Sequence, residues 1–335
     1  MVKIGIVGLG RLGKRHAENL VYRVSGCQVT AACSIVEEEL AYAKDVLGVS
    51  DTYTDYADML ANADIDAVFL VTSTSLHAEQ ILAGLAADKH VFCEKPLAIN
   101  VEDCEKVVSA AAQYNHKIAT IGLVRRFDPS YMEAKRLVDA GKIGQPILVR
   151  SQTVDLDDFA EFQVPFTATS GGFVHDMWVH DFDLARWFLG SDMTEAYSIG
   201  GCYRHKGFEQ YNDADNASAL CKYANGTNAY FFASRTAQHG HDTRTEIVGT
   251  EGILKIGEIP NATRVEIFDR AGARQECVQD FFARFEEAFL IEAQAFVDAC
   301  NGKEVALCTL EDAMNATKDA VMVTEAYKTG TLVKA

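Results

Sequence analysis

The chain has 335 residues, 48% of them hydrophobic, and a formal net charge of −17. That is enough apolar material for one large or two ordinary domains, and the acid excess argues against nucleic acid or an anionic membrane surface as a partner. Nine cysteines are scattered without a CxxC pair, which points to reduced thiols in a cytoplasm rather than a disulfide framework or zinc ribbon, and no run is long and apolar enough to span a membrane.

The first third alternates strand and helix. "KIGIVGLG" is a continuous apolar run, expected of a strand buried on both faces, and it follows the first residues so directly that no signal-peptide layout fits before it. A helix from about Arg11 to Val24 follows. Then come the strand "QVTAACS", the helix "EEELAYAKDVLG" stopped by Gly48, the strand "DAVFLVTS", the helix "HAEQILAGLAADK" and the strand "HVFCEKP". A helix capped by Asn100 and the strand "KIATIGLV" close the set. This rhythm predicts a doubly wound parallel sheet, a Rossmann domain over residues 1–122.

Residues 123–335 read differently. A helix over Pro129 to Ala140 leads to the strand "PILVRSQTV", then a loop and a helix from Gly171 to Gly190. Strand-like runs follow: "EAYSIGGCY", "NASALCKYANGTNAYFFASRT" with a hairpin turn at "ANGTN", "TEIVGTEGILKIG" and "TRVEIFD". Helices over Phe282 to Asn301 and Leu310 to Thr329 end the chain. The expectation is an α+β substrate-binding and oligomerisation domain on a large, mainly antiparallel open sheet, with the last helices packing back on the first domain.

Three motifs carry chemistry. Gly8, Gly10 and Gly13 form GxGxxG between the first strand and first helix. There glycine permits a tight turn, close approach to a pyrophosphate and close helix–strand packing, and the helix N-terminus offers N–H donors. At the end of the second strand, where an acid usually holds the adenosine ribose, stand Cys33-Ser34-Ile35-Val36 and then Glu37 to Glu39. No cation is near to hold a 2′-phosphate, so NAD is expected over NADP, with Ser34 at the ribose. Glu94-Lys95-Pro96 ends the fourth strand, at the edge where open α/β sheets bind ligands; Lys95 is a surface charge or a catalytic cation. The third motif is "GGFVHDMWVHDFDLARWFLG", whose ionisable groups lie in an apolar helix and need partners.

With "GIVGLGRLGKRH", "EKPLA" and "HDMWVHDFDLARWFLG" in place, the sequence resembles the Gfo/Idh/MocA oxidoreductase family along its entire length, and within it the inositol dehydrogenases. The resemblance implies a Rossmann domain, a second domain whose open sheet packs between subunits, a homotetramer, and oxidation of a secondary hydroxyl of a cyclic polyol with NAD. It implies catalytic roles for Lys95, Asp176 and His180, and substrate contacts for Arg125, Asp155 and Asp183. His241 falls where inositol dehydrogenases place a tyrosine. The cofactor-binding set is Gly8, Gly10, Arg11, Leu12, Gly13, Ser34, Thr72, Ser73, His77, Glu94 and Lys95; no metal is expected.

At about 100° per residue, Asp176, His180, Asp183 and Trp187 share a stripe on a helix otherwise apolar, so the stripe should line an internal cleft. His180 suits the base that removes a hydroxyl proton. His175 and Asp181 read as structural or solvent-side groups, and Trp178 and Trp187 as core. Two alternatives stay open: a metal hydrolase using His175, Asp176 and His180, which would leave GxGxxG and EKP unexplained, and a non-catalytic NAD-sensing protein. Within the enzyme class, another sugar or sugar derivative is the second choice of substrate.

Overall fold

A computed structural model describes residues 1–257 and 260–335. It divides into two compact units, residues 1–127 with 287–317, and residues 128–286 with 318–335.

The first unit runs β1 (Val2–Val7), α1 (Arg11–Tyr22), β2 (Cys27–Cys33), α2 (Glu37–Asp45), β3 (Asp51–Tyr53), α3 (Tyr56–Asn62), β4 (Ala67–Leu70), α4 (Thr74–Ala86), β5 (His90–Glu94), α5 (Val101–Ala111) and β6 (Ala119–Gly122). The strands pair in parallel in the order β3-β2-β1-β4-β5-β6. The order reverses between β1 and β4, which opens a crevice at the carboxyl ends of the strands. β1 is almost continuously buried, as its apolar run predicts. The Asn100 side chain accepts the Asp103 amide at 2.8 Å and caps α5. The short β3 and α3 were not expected; three strand residues are too few to show a period.

The second unit holds α6 (Pro129–Asp139), β7 (Pro146–Leu156), α7 (Ala160–Ser170), a π-turn (Val174–Trp178), α8 (Val179–Leu189), β8 (Met193–Gly201), β9 (Asn216–Tyr223), β10 (Asn228–Ala237), β11 (Asp242–Gly249), β12 (Ile253–Ile256), β13 (Asn261–Asp269) and β14 (Gly272–Cys277). Two long helices, α9 (Phe281–Cys300) and α10 (Leu310–Thr329), and the short β15 (Val333–Lys334) follow, each helix contributing to both units. The large sheet has the order β12-β11-β7-β10-β9-β8-β15. Only the central β7–β10 pair among these is parallel. The turn at "ANGTN" closes the β9–β10 hairpin, with the Tyr223 amide donating to the Thr227 carbonyl at 2.9 Å.

One face of this sheet is core. Phe231 on β10 meets Phe182 of α8 edge-on at 5.0 Å between ring centroids and lies 6.5 Å from Trp178. The other face shows Tyr197, Ile199, Leu220 and Tyr230 exposed. α7 replaces what reads as a loop in the sequence; its internal Pro165 hides the helical signal.

Candidate active site

In the first unit the glycine loop has the geometry a dinucleotide needs. Gly8 has φ +85°, and a side chain there would meet the Val71 carbonyl oxygen at 2.5 Å. A Cβ on Gly13 would lie 2.1 Å from the Gly8 carbonyl oxygen, so α1 packs against β1 only with glycine there. Gly10 caps α1 with no side-chain hydrogen bond. Arg11 and Leu12 open the helix, whose first amides lack intrahelical acceptors and face the loop that a pyrophosphate would enter.

At the end of β2, Ser34 is tied to the glutamate run that follows it. The Ser34 hydroxyl donates to Glu39 Oε2 at 2.6 Å and accepts the Val36 amide at 3.1 Å. The same Glu39 oxygen accepts the Leu9 amide, inside the glycine loop, at 3.1 Å. A Cβ built on Gly10 would lie 3.8 Å from Glu39 Oε1. A carboxylate from the first turn of α2 thus stands at the glycine loop, held by Ser34 and the Leu9 amide. The run of three glutamates contained the signal, but nothing in it singled out Glu39.

At the end of β5, Glu94 is buried and points inward. Its Oε1 lies 2.7 Å from His16 Nε2 and its Oε2 accepts the Lys95 amide at 3.1 Å. Burial, and then the Glu94 charge, push the Glu292 carboxyl well above the usual range. Lys95 is half-buried, in a cis peptide with Pro96. His77 is also buried, with Nδ1 2.7 Å from the Pro96 carbonyl and Nε2 3.1 Å from the Thr72 carbonyl; burial pushes its pKa down. A neutral imidazole has one N–H, so His77 donates to one of these two carbonyls and packs against the other, between the EKP loop and the turn after β4. Thr72 donates its hydroxyl to Gln80, and Ser73 is the N-cap residue of α4. Arg125 is buried in a 3-10 turn over Val124–Phe127.

In the second unit Asp176 lies within the π-turn and His180 in the first turn of α8. The stripe is not one uniform α-helix: the widened turn re-aims Asp176 relative to His180, a distortion common at functional sites. Asp176 and His180 are partly exposed, and Asp183 and His175 are buried. Asp181 is 0% exposed and accepts the Ser151 hydroxyl and, at 2.7 Å, the Thr153 hydroxyl. It ties α8 to β7, so its role is structural and not solvent-side. Trp178 is core, while Trp187 is only partly buried.

Asp155, near the end of β7, accepts from His241 Nδ1 at 2.9 Å and from Gln163 at 3.1 Å; His241 Nε2 lies 2.8 Å from the Thr243 hydroxyl. Burial works to raise the Asp155 carboxyl, but the His241 bond and charge, Gln163 and the Arg235 cation together hold it below its ordinary value. Arg235 also reaches Asp176 Oδ2 at 3.4 Å. Asp155, Asp176 and His241 are thereby brought into one electrostatic neighbourhood around a residue that no sequence motif marks.

Residues 2–122 match an oxidoreductase family with an NAD-binding Rossmann fold, and residues 131–255 match the GFO/IDH/MocA C-terminal domain. The chain belongs to the GFO/IDH/MocA oxidoreductase family. It is 33% identical to the scyllo-inositol 2-dehydrogenase (NAD(+)) of Bacillus subtilis, over 98% of this chain and 95% of that protein. The crystal structure of scyllo-inositol dehydrogenase from Lactobacillus casei with bound NAD(H) and scyllo-inositol is 39% identical, with a TM-score of 0.96, covering 100% of this chain and 99% of that one. The myo-inositol 2-dehydrogenase from Lactobacillus plantarum is 35% identical with a TM-score of 0.96, covering 99% of each chain.

Within this GFO/IDH/MocA chain the residues fit NAD. A side chain at Gly8 or Gly13 would collide with the Val71 or the Gly8 carbonyl oxygen, so the turn stays tight enough for backbone to approach a pyrophosphate, and Glu39 stands beside it as a carboxylate that could accept from ribose hydroxyls and would repel a 2′-phosphate.

Proposed function

We propose that this protein is an NAD-dependent dehydrogenase that oxidises a secondary hydroxyl of an inositol to the ketone. The observation that carries the reading is the similarity, over the entire chain, to the Lactobacillus casei enzyme described with NAD(H) and scyllo-inositol. When bound, NAD supplies the hydride acceptor. Gly8, Gly10, Arg11, Leu12 and Gly13 would hold its pyrophosphate, and Ser34 with Glu39 its adenosine ribose, with Thr72 and Ser73 beside them; His77 and Glu94 shape the loop that carries Lys95. His180 accepts the hydroxyl proton at its imidazole, and Asp176 orients that imidazole and supports its positive charge. Lys95 favours the developing alkoxide. Arg125, Asp155, Asp183 and His241 bind the other hydroxyls of the ring, which present many donors and acceptors.

Residues 1–122 serve cofactor binding in this reading, and residues 123–335 serve substrate binding and assembly. The exposed apolar sheet face with Tyr197, Ile199, Leu220 and Tyr230 supports a homotetramer formed across that face. Nine free cysteines, six of them buried, support a reducing, cytoplasmic setting. The oxidative direction belongs to inositol catabolism. A panel of inositol isomers and sugars with NAD, followed by the absorbance of the reduced cofactor, tests the assignment. Turnover of an open sugar series but of no inositol would favour the second choice of substrate, and no turnover at all would favour a sensing role.

A further inference from the structure

Arg235, in the middle of "FFASRTAQ", is the largest buried polar side chain in the second unit, with 0% exposure. A guanidinium keeps its proton in any protein environment, so β10 delivers a permanent positive charge into a dry interior. Its surroundings are built for that charge. The guanidinium carbon lies 5.2 Å from the Phe173 ring centroid and 4.7 Å from that of Phe208. Its Nη2 is 3.4 Å from Asp176 Oδ2 and its Nη1 is 3.6 Å from Asp213 Oδ2.

Asp213 in turn holds the entry to the π-turn. Both of its carboxylate oxygens accept the Phe173 amide, at 3.1 and 2.9 Å. The chain turns there through Gly172 at φ +83°, where an added Cβ would lie 3.3 Å from Asp213 Oδ1. Arg235 itself is fixed from behind, its amide donating to the Asp215 carbonyl at 2.8 Å. The π-turn that contains Asp176 is thus anchored at its start by Asp213 and drawn from the side by Arg235.

We propose that Arg235 is a positioning residue for the dehydrogenase reaction: its buried cation, backed by Asp213, fixes the orientation of Asp176 in the π-turn and so the placement of the His180 pair. The inference rests on the proposed role of Asp176. Both contacts are long for hydrogen bonds, so the attraction is mainly charge on charge, strengthened by the full burial of the guanidinium. Removing the cation would take away the charge that Asp176 and Asp213 share and leave the two carboxylates to repel one another, which loosens the orientation of Asp176.

The test is a double-mutant cycle. Arg235→Met, Arg235→Lys and Asp176→Asn are made singly, and each Arg235 change is also made in the Asp176→Asn background. kcat and KM are measured with scyllo-inositol and NAD, NAD binding by fluorescence titration, and folding by circular dichroism. A misplaced reacting group typically loses about 10²-fold, and that loss in kcat is expected for Arg235→Met, with partial recovery in Arg235→Lys and NAD affinity unchanged. In the Asp176→Asn background the same changes should cost no more than about twofold, the mark of residues acting as one unit.

A folded Arg235→Met enzyme with wild-type kcat overturns the inference, as does an equal loss in both backgrounds. If Arg235→Met fails to fold, Arg235→Lys in the two backgrounds decides by the same criterion. Wild-type kcat in Asp176→Asn alone would instead overturn the role proposed for Asp176, a separate failure read from a separate variant.

Discussion

Glu39 Oε2 accepts the Ser34 hydroxyl at 2.6 Å. With the Leu9 amide on the same oxygen, the carboxylate is fixed at the glycine loop, its other oxygen 3.8 Å from where a Gly10 Cβ would stand. Glu39→Ala should weaken NAD binding by about 10- to 100-fold, the worth of a charge-assisted hydrogen-bond pair, and leave NADP binding unchanged or tighter. Titration of both cofactors against the purified variant measures it. An unaltered ratio of the two affinities would show that Glu39 does not discriminate between them.

His180→Ala should fold normally and bind NAD with wild-type affinity, because its glycine cradle is made by residues of the first unit. Its kcat should fall by about 10²–10⁴-fold, the range for losing a general base. Near-normal turnover in a folded His180→Ala enzyme would remove this histidine from the mechanism.

Asp319, buried in the second unit, has its carboxyl pushed from 3.8 up to about 7 by burial, against the pull of Arg186 and with a push from Asp192. Because the folded value lies above the unfolded one, the native protein binds more protons than the unfolded chain between those two values. Stability should therefore fall as pH rises from about 4 to about 7 and stay reduced above, by about 1.4 kcal/mol per unit of displacement. Asp319→Asn should raise Tm at pH 8 more than at pH 5, with the difference read by thermal melts across the window. Parallel melting curves at all pH values would contradict this.

Leu220, on the outer face of β9, is 58% exposed. Leu220→Glu should shift the protein toward smaller species in light scattering at micromolar concentration and leave the circular dichroism spectrum intact. A wild-type protein that is already a monomer under those conditions would rule out assembly through this face.

The legible parts of this protein were those written in long periods or short fixed motifs. β1 and the GxGxxG turn announce themselves because a doubly buried strand is uniformly apolar and a phosphate loop admits only glycine at set positions. Other features are written in no such pattern. Glu39 became recognisable only once Leu9 and Ser34 closed on it. Arg235 looks like one charge in a strand until Asp176 and Asp213, 59 and 22 residues before it, converge on it. The π-turn was invisible because one extra residue in a turn leaves the apolar pattern of "FVHDMWVHDF" nearly unchanged. His77 in α4 and Glu94 at the end of β5 make internal hydrogen bonds that no spacing reveals.

The first unit is not a contiguous stretch of chain, and that matters on the ribosome. Phe69 and Phe92, stacked at 3.8 Å in its core, meet Phe296 edge-on at 5.9 and 5.8 Å, and Ala293 and Val297 belong to the same cluster. His16 likewise lies 5.4 Å from Phe289. The six-stranded sheet has therefore emerged into solvent long before the helix that covers this apolar patch is synthesised. A nascent chain stalled after residue 127 would carry every strand of the nucleotide fold and still present its phenylalanines to chaperones. The same logic makes the fragment 1–127 a poor candidate for a free-standing nucleotide-binding module, and makes residues 287–317 the ones whose arrival completes the first unit.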